Sequence, residues 1–135
     1  MGYLTYSLPY AVGSSPTLHI RGMIASCAIK KGAIIEKCPV ILIPKEELSS
    51  LFNTKLNNYY FDWTKDTRAI VLGYGSIINH SYTPNAAYRW DYKQKFMVYY
   101  AVRDIEVGDE VMINYNGVPS DTTPLPQGWV SSKSY

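Results

Sequence analysis

The chain has only two cysteines and two histidines, and no apolar run approaches the ~18 residues that a membrane-spanning helix needs. Cys27 and Cys38 match no zinc-ligand spacing; a disulfide between them is compatible with the sequence but not demanded by it. Both lie in apolar runs and read as small buried hydrophobes of a reducing compartment. A formal net charge of +2, with no Lys/Arg-rich patch, leaves no electrostatic footprint for nucleic acid. The N-terminus lacks a basic segment followed by an apolar core, so no secretory leader is expected. Tyr6 stands where myristoylation would want Ser or Thr. No membrane association is expected, and a cytoplasmic location follows.

What the chain does have is an apolar content of 47% with 18% charged residues, the balance of a globular domain. It also has thirteen tyrosines, more than a core of this size uses. A buried tyrosine wants a partner for its hydroxyl, so the excess points to a groove or channel lined by aromatic rings. Short strand-like runs separated by turns predict a mainly β domain. Residues 1–16 show no clear period and read as a loose N-terminal arm. Thr17 to Ile29 reads as a short strand pair broken at Gly22, and Ala33 to Ile43 as a strand. Pro44 followed by Glu46 and Glu47 is a helix-start signal, with Leu48, Leu51 and Phe52 on one face. Leu56 to Trp63 and Thr67 to Leu72 read as strands joined at Lys65 and Asp66. Ala86 to Tyr92 and Lys95 to Val102 alternate like a hairpin, and Val111 to Tyr115 is the last strand. One pattern repeats: Ala25-x3-Ile29-x2-Gly32-x2-Ile35 returns as Ala101-x3-Ile105-x2-Gly108-x2-Val111.

Two stretches concentrate chemistry. Gly73 to Ala86 packs two glycines, two asparagines, a histidine and a proline between strand-like runs, a density that points to a site rather than a connector. About thirty positions later, Gly108-Asp-Glu-Val-Met-Ile-Asn-Tyr115 is an alternating strand that ends on a tyrosine. The string Asn79-His80-Ser81-x-x-Pro84-Asn85 and the strand closing on Asn114-Tyr115 resemble the two signature motifs of the SET-domain protein lysine methyltransferases. The repeated strand-turn-glycine-strand pattern is similar to an element that family carries twice.

The resemblance implies a β-clip-like SET fold over residues 17–117, with one short helix and a threaded C-terminal segment. A tail, 118–135, would fold over the cofactor site. It further implies transfer of a methyl group from S-adenosylmethionine to a lysine of a protein or peptide substrate, with S-adenosylhomocysteine as product and no metal. The chain looks like the compact stand-alone domains of bacteria and large viruses; for one delivered into a host cell the location would be the host nucleus. A homodimer is compatible with its apolar strands.

Residue by residue, Asn79 and His80 align with the pair that contacts the cofactor, and Asn85 with a backbone-bonding position. Tyr115 aligns with the catalytic tyrosine that touches both cofactor and substrate amine. Tyr88 falls where relatives place a second active-site aromatic, against a packing role in the hairpin, and one of Tyr59, Tyr60 and Phe61, with Tyr59 taken first, is expected to wall the lysine channel. Arg21, Gly22 and Met23 match the end of a Gly-x-Gly cofactor loop whose first glycine is replaced by Ile20. A β-branched residue resists positive φ, so this departure supports an alternative: a catalytically inactive SET-like module that binds a peptide or protein. Trp129 would either stack on the cofactor's adenine or fold back onto the core.

Overall fold

A computed structural model of the chain describes residues 7–126. Among the described residues, nine strands are arranged in two sheets. Strands β1 (Tyr10–Ser14) and β2 (Arg21–Ala25) pair with β9 (Glu110–Ile113) and β6 (Asn79–His80) in the order β1-β2-β9-β6. The larger sheet holds β3 (Ile34–Ile43), β4 (Phe61–Thr64), β5 (Thr67–Val71), β7 (Ala86–Asp91) and β8 (Phe96–Ala101), ordered β4-β5-β3-β8-β7. All pairings are antiparallel except β6 with β9, where Asn79 faces Met112 and His80 faces Ile113 in parallel. The mainly β architecture is the one the alternating sequence implies.

The period of two is clearest in β4, where Phe61 and Trp63 are buried and Asp62 and Thr64 exposed; in β8 Val98 is buried too, and Met97, Tyr99 and Ala101 are almost fully buried. They meet Met23, Ile78, Val111 and Ile113 from the smaller sheet, and this shared core fixes the two sheets relative to each other. The repeated pattern has a structural meaning. Ile29 and Ile105 exchange backbone N–H···O bonds, both of 2.8 Å. Gly32 donates to Ala101, and Gly108 to Ala25, each at 2.8 Å, with φ of +88° and +89°. Each copy therefore closes onto the other copy's alanine, and the left-handed backbone at each turn is a glycine's natural territory.

Several expectations are corrected. The arm read over residues 1–16 contains β1. Tyr10 is buried and its O–H donates to Glu36 Oε1 at 2.6 Å, so tertiary pairing makes a strand of a segment with little pattern of its own. Thr17 to Ile29 holds one strand, not two, because Ser15 to Ile20 closes a turn through Ser15 N–H to Ile20 O at 2.7 Å. Lys55–Asn58 is a 3-10 turn rather than the start of a strand; Thr54 Oγ1 accepts from the Leu56 N–H and caps it. The helical stretch is a 3-10 turn, Lys45–Glu47, followed by α1 (Leu48–Phe52), and only Leu51 is buried in it. Phe52 instead packs on Tyr60 at the surface. Cys38 is buried but Cys27 is exposed, and both are free thiols.

Candidate active site

The site forms where β9 ends beside β6. Tyr115 follows β9 directly, and its backbone N–H donates to His80 Nδ1 at 3.0 Å. With Nδ1 accepting, a neutral His80 carries its proton on Nε2. The Tyr115 O–H donates to the Ile78 carbonyl at 2.7 Å, which fixes the phenol. The rings of His80 and Tyr115 lie 5.1 Å apart, and Tyr82 stands edge-on to His80 at 4.4 Å.

On one side of Tyr115 is a cavity of about 140 Å³, whose walls include Tyr60, Phe61, Tyr88 and Trp90. Asn57, Asn58, Asp62, Asn116 and Gly117 complete its lining. Tyr88 meets Phe61 edge-on at 5.1 Å and Trp90 at 5.6 Å, so the walls brace one another. Burial, and then the Asp62 charge, push the Tyr88 phenol well above its ordinary range, and it stays protonated. Of the expected channel residues, Tyr88 and Tyr115 line this cavity and Tyr59 does not; its neighbours Tyr60 and Phe61 do. Tyr59 terminates the 3-10 turn ahead of β4, its backbone N–H bonded to Leu56 O. Trp90 was missed, although it lies two residues beyond Tyr88 in a strand and so shares its face.

Asn79 and His80, on β6, are both buried. The two Asn79 N–H groups donate to Arg21 O and to Glu110 Oε2, each at 2.9 Å. Asn79 Oδ1 is buried and has no hydrogen-bond partner among the described residues. Gly22 packs against this pair: a Cβ there would lie 2.5 Å from Glu110 Oε2 and 2.9 Å from Asn79 Nδ2. Its glycine is thus required by close approach and not by a left-handed backbone. Left-handed backbone in this loop falls instead on His19, at φ +58°, and Ile20 has none. The Met23 side chain is fully buried in the core, so the part expected of it at the cofactor loop falls to its backbone. A second groove, of about 420 Å³, is lined by Thr17, Leu18, His80, Ser81 and Glu110 among others.

Asn85 takes the structural task expected of it. Its amide donates to Glu110 O at 2.8 Å and accepts from Met112 N–H at 2.9 Å, clasping β9 where it passes. After Gly117 the chain returns to the site: Asn114 Nδ2 donates to Asp121 O, and Asn116 Nδ2 and the Tyr82 O–H both donate to Thr123 O. Trp129 lies outside the described residues. Among those described, no group of three His, Cys, Asp or Glu is placed to hold a metal ion.

The chain is similar to several known proteins. A Schizosaccharomyces pombe protein named histone-lysine N-methyltransferase, H3 lysine-37 specific, is 33% identical over 96 residues. The match covers 70% of this chain and 65% of that protein's length. The crystal structure of a Plasmodium falciparum protein, described as a candidate histone methyltransferase, superposes with a TM-score of 0.68 at 31% identity, covering 82% of this chain and 95% of that one. A humanized mutant of the Chaetomium thermophilum Polycomb Repressive Complex 2 bound to the inhibitor GSK126 shares the fold, with a TM-score of 0.70 at 19% identity, over 84% of this chain and 16% of that one. The SET-domain family model matches residues 20–116, the stretch that holds both the aromatic cavity and the Asn79–His80 pair, and the chain belongs to the SET-domain family.

Proposed function

We propose that the protein transfers a methyl group from S-adenosylmethionine to a lysine side chain of a protein substrate. The observation that carries this reading is the position of Tyr115. It lines the aromatic cavity, while its backbone N–H bonds to the buried His80. Both relatives above 30% identity bear names of histone methyltransferases, which supports a histone as the first substrate to test.

The residues fit the cofactor. Asn79 Oδ1 is a buried acceptor awaiting an N–H donor, and the cofactor's amino-acid end carries one. Asn79, His80, Tyr115 and the backbone of Arg21 and Gly22 would hold it. When bound, S-adenosylmethionine supplies an electrophilic methyl on a sulfonium. The chain's own residues then prepare the nucleophile. A lysine of ordinary pKa, about 10.4, must shed a proton at neutral pH, at a cost of about 4.6 kcal/mol. Tyr60, Phe61, Tyr88 and Trp90 withdraw the amine from water, which disfavours the charged form. Their faces also tolerate a methylated, still cationic product. With its own O–H committed to Ile78, the Tyr115 oxygen accepts an N–H of the amine and fixes its orientation. Tyr88, held protonated, can donate or accept at the cavity wall but is no anionic base.

The inactive-module alternative rests on Ile20, which sits in ordinary backbone and forces no distortion of the loop. Isothermal titration with S-adenosylmethionine, on the wild type and on Asn79→Ala, tests the proposal. Micromolar binding that the substitution abolishes is expected. No binding up to millimolar cofactor would reduce the protein to a SET-like binding module.

A further inference from the structure

Glu110, the first residue of β9, has all its oxygen acceptors engaged by different parts of the chain. Oε1 accepts the Ser15 O–H at 2.6 Å, Oε2 accepts Asn79 Nδ2–H at 2.9 Å, and the backbone carbonyl accepts Asn85 Nδ2–H at 2.8 Å. An ionised carboxylate is an acceptor only, and so is the Arg21 carbonyl that takes the other Asn79 N–H. The two together leave the Asn79 amide one orientation. Its nitrogen faces Glu110 and Arg21, and its oxygen faces the opposite way, buried and without a hydrogen-bond partner among the described residues. A buried carbonyl oxygen left in that state calls for an N–H donor. Through Ser15 the same carboxylate holds the neighbouring turn. Ser15 Oγ accepts from Leu18 N–H at 3.1 Å, and the Ser15 backbone bonds to His19 and Ile20. Gly22 is what admits the carboxylate, since a Cβ there would meet Oε2 at 2.5 Å.

We infer that Glu110 is a positioning residue for the methyl donor. It holds Asn79 with its carbonyl oxygen turned to the donor's α-ammonium group, and it holds the Ser15–Ile20 turn beside that group. The inference rests on the methyl-donor reading above. It assigns Glu110 a selective effect: on the amino-acid end of the ligand, and not on its adenosine. Glu110→Gln is nearly the same shape but gains an N–H that can donate to Asn79 Oδ1 and so favours the flipped amide.

The test compares two ligands by titration calorimetry, S-adenosylhomocysteine and 5′-methylthioadenosine, the second of which lacks the amino-acid tail. Wild type should bind both. Glu110→Gln should weaken S-adenosylhomocysteine about 30-fold, the equivalent of one hydrogen bond to a charged group, and change 5′-methylthioadenosine less than about twofold. Ser15→Ala, which removes one hydroxyl from the carboxylate and is milder on folding, should show the same selectivity at about threefold. A structural role alone would lower the affinity of both ligands together, and equal losses, or none, would overturn the inference. Wild type binding neither ligand would overturn the methyl-donor reading and this inference with it.

Discussion

Gly75 is the tightest glycine among those described, and adding one methyl group there should damage stability and activity together. A Cβ at this position would lie 2.1 Å from Tyr99 Cε2, 2.4 Å from Cζ and 2.7 Å from the hydroxyl oxygen. Carbon atoms pack at about 3.5 to 4.0 Å, so either the ring or the turn must yield by more than an ångström. Tyr99 is fully buried and braced by Phe61 and Tyr88, each with centroids 6.1 Å away, so the ring has nowhere to go. Overpacking of this kind costs about 3 kcal/mol. At a urea m-value of about 1.5 kcal/mol/M, the unfolding midpoint of Gly75→Ala should fall by about 2 M. The 3-10 turn Tyr74–Ile77 leads directly into Ile78, whose carbonyl anchors the Tyr115 hydroxyl, so turnover should fall as well. Gly108→Ala is the control: its Cβ meets open space, and only the left-handed backbone costs, about 1 to 2 kcal/mol. Combining Gly75→Ala with Tyr99→Leu removes the ring that clashes, so the double variant should be more stable than the two single losses predict. A Gly75→Ala midpoint within about 0.5 M of wild type, or strict additivity in the double variant, would refute the packing argument.

Other expectations follow from single contacts. Asn85→Ala strands the Glu110 carbonyl and the Met112 N–H of β9, and should cost about 2 to 4 kcal/mol by urea denaturation. Tyr115→Phe removes the hydroxyl that orients the amine; kcat should drop about 100-fold in a methyl-transfer assay while cofactor affinity holds within a few-fold. Iodoacetamide at pH 8 should label Cys27 and spare Cys38, read as a single adduct by mass spectrometry. Burial first, and then the Glu36 charge, push the Cys38 thiol up to about 12, so its reactive thiolate is scarce.

Much of the site was legible because its residues sit in strongly patterned segments. The hairpin of β7 and β8 forms where its strand-like runs and central turn place it, and the Asn79 to Asn85 string announces itself by composition. The repeated alanine-to-glycine pattern proved to be a pair of interlocked turns. What stayed hidden depends on partners far along the chain. From the sequence Glu110, ahead of the last strand, reads as a structural residue or a weak peptide contact; that Ser15, 95 positions away, and Asn79, 31 positions away, converge on it leaves no local pattern. Strand β1 exists through its pairing with β2 and the Tyr10 bond to Glu36, neither of which leaves a local pattern. Of the three adjacent aromatics, Tyr60 and Phe61 line the cavity and Tyr59 does not, a distinction that their consecutive positions in the sequence could not make.

The most direct test of the central claim is methyl transfer itself. Purified protein would be incubated with S-adenosylmethionine and histone octamers, and the modified side chain located by fragmentation mass spectrometry. A methyl group on a lysine ε-nitrogen, lost with Tyr115→Phe, is the predicted result. Transfer to no residue of any protein substrate despite cofactor binding, or transfer that survives Tyr115→Phe undiminished, would contradict it.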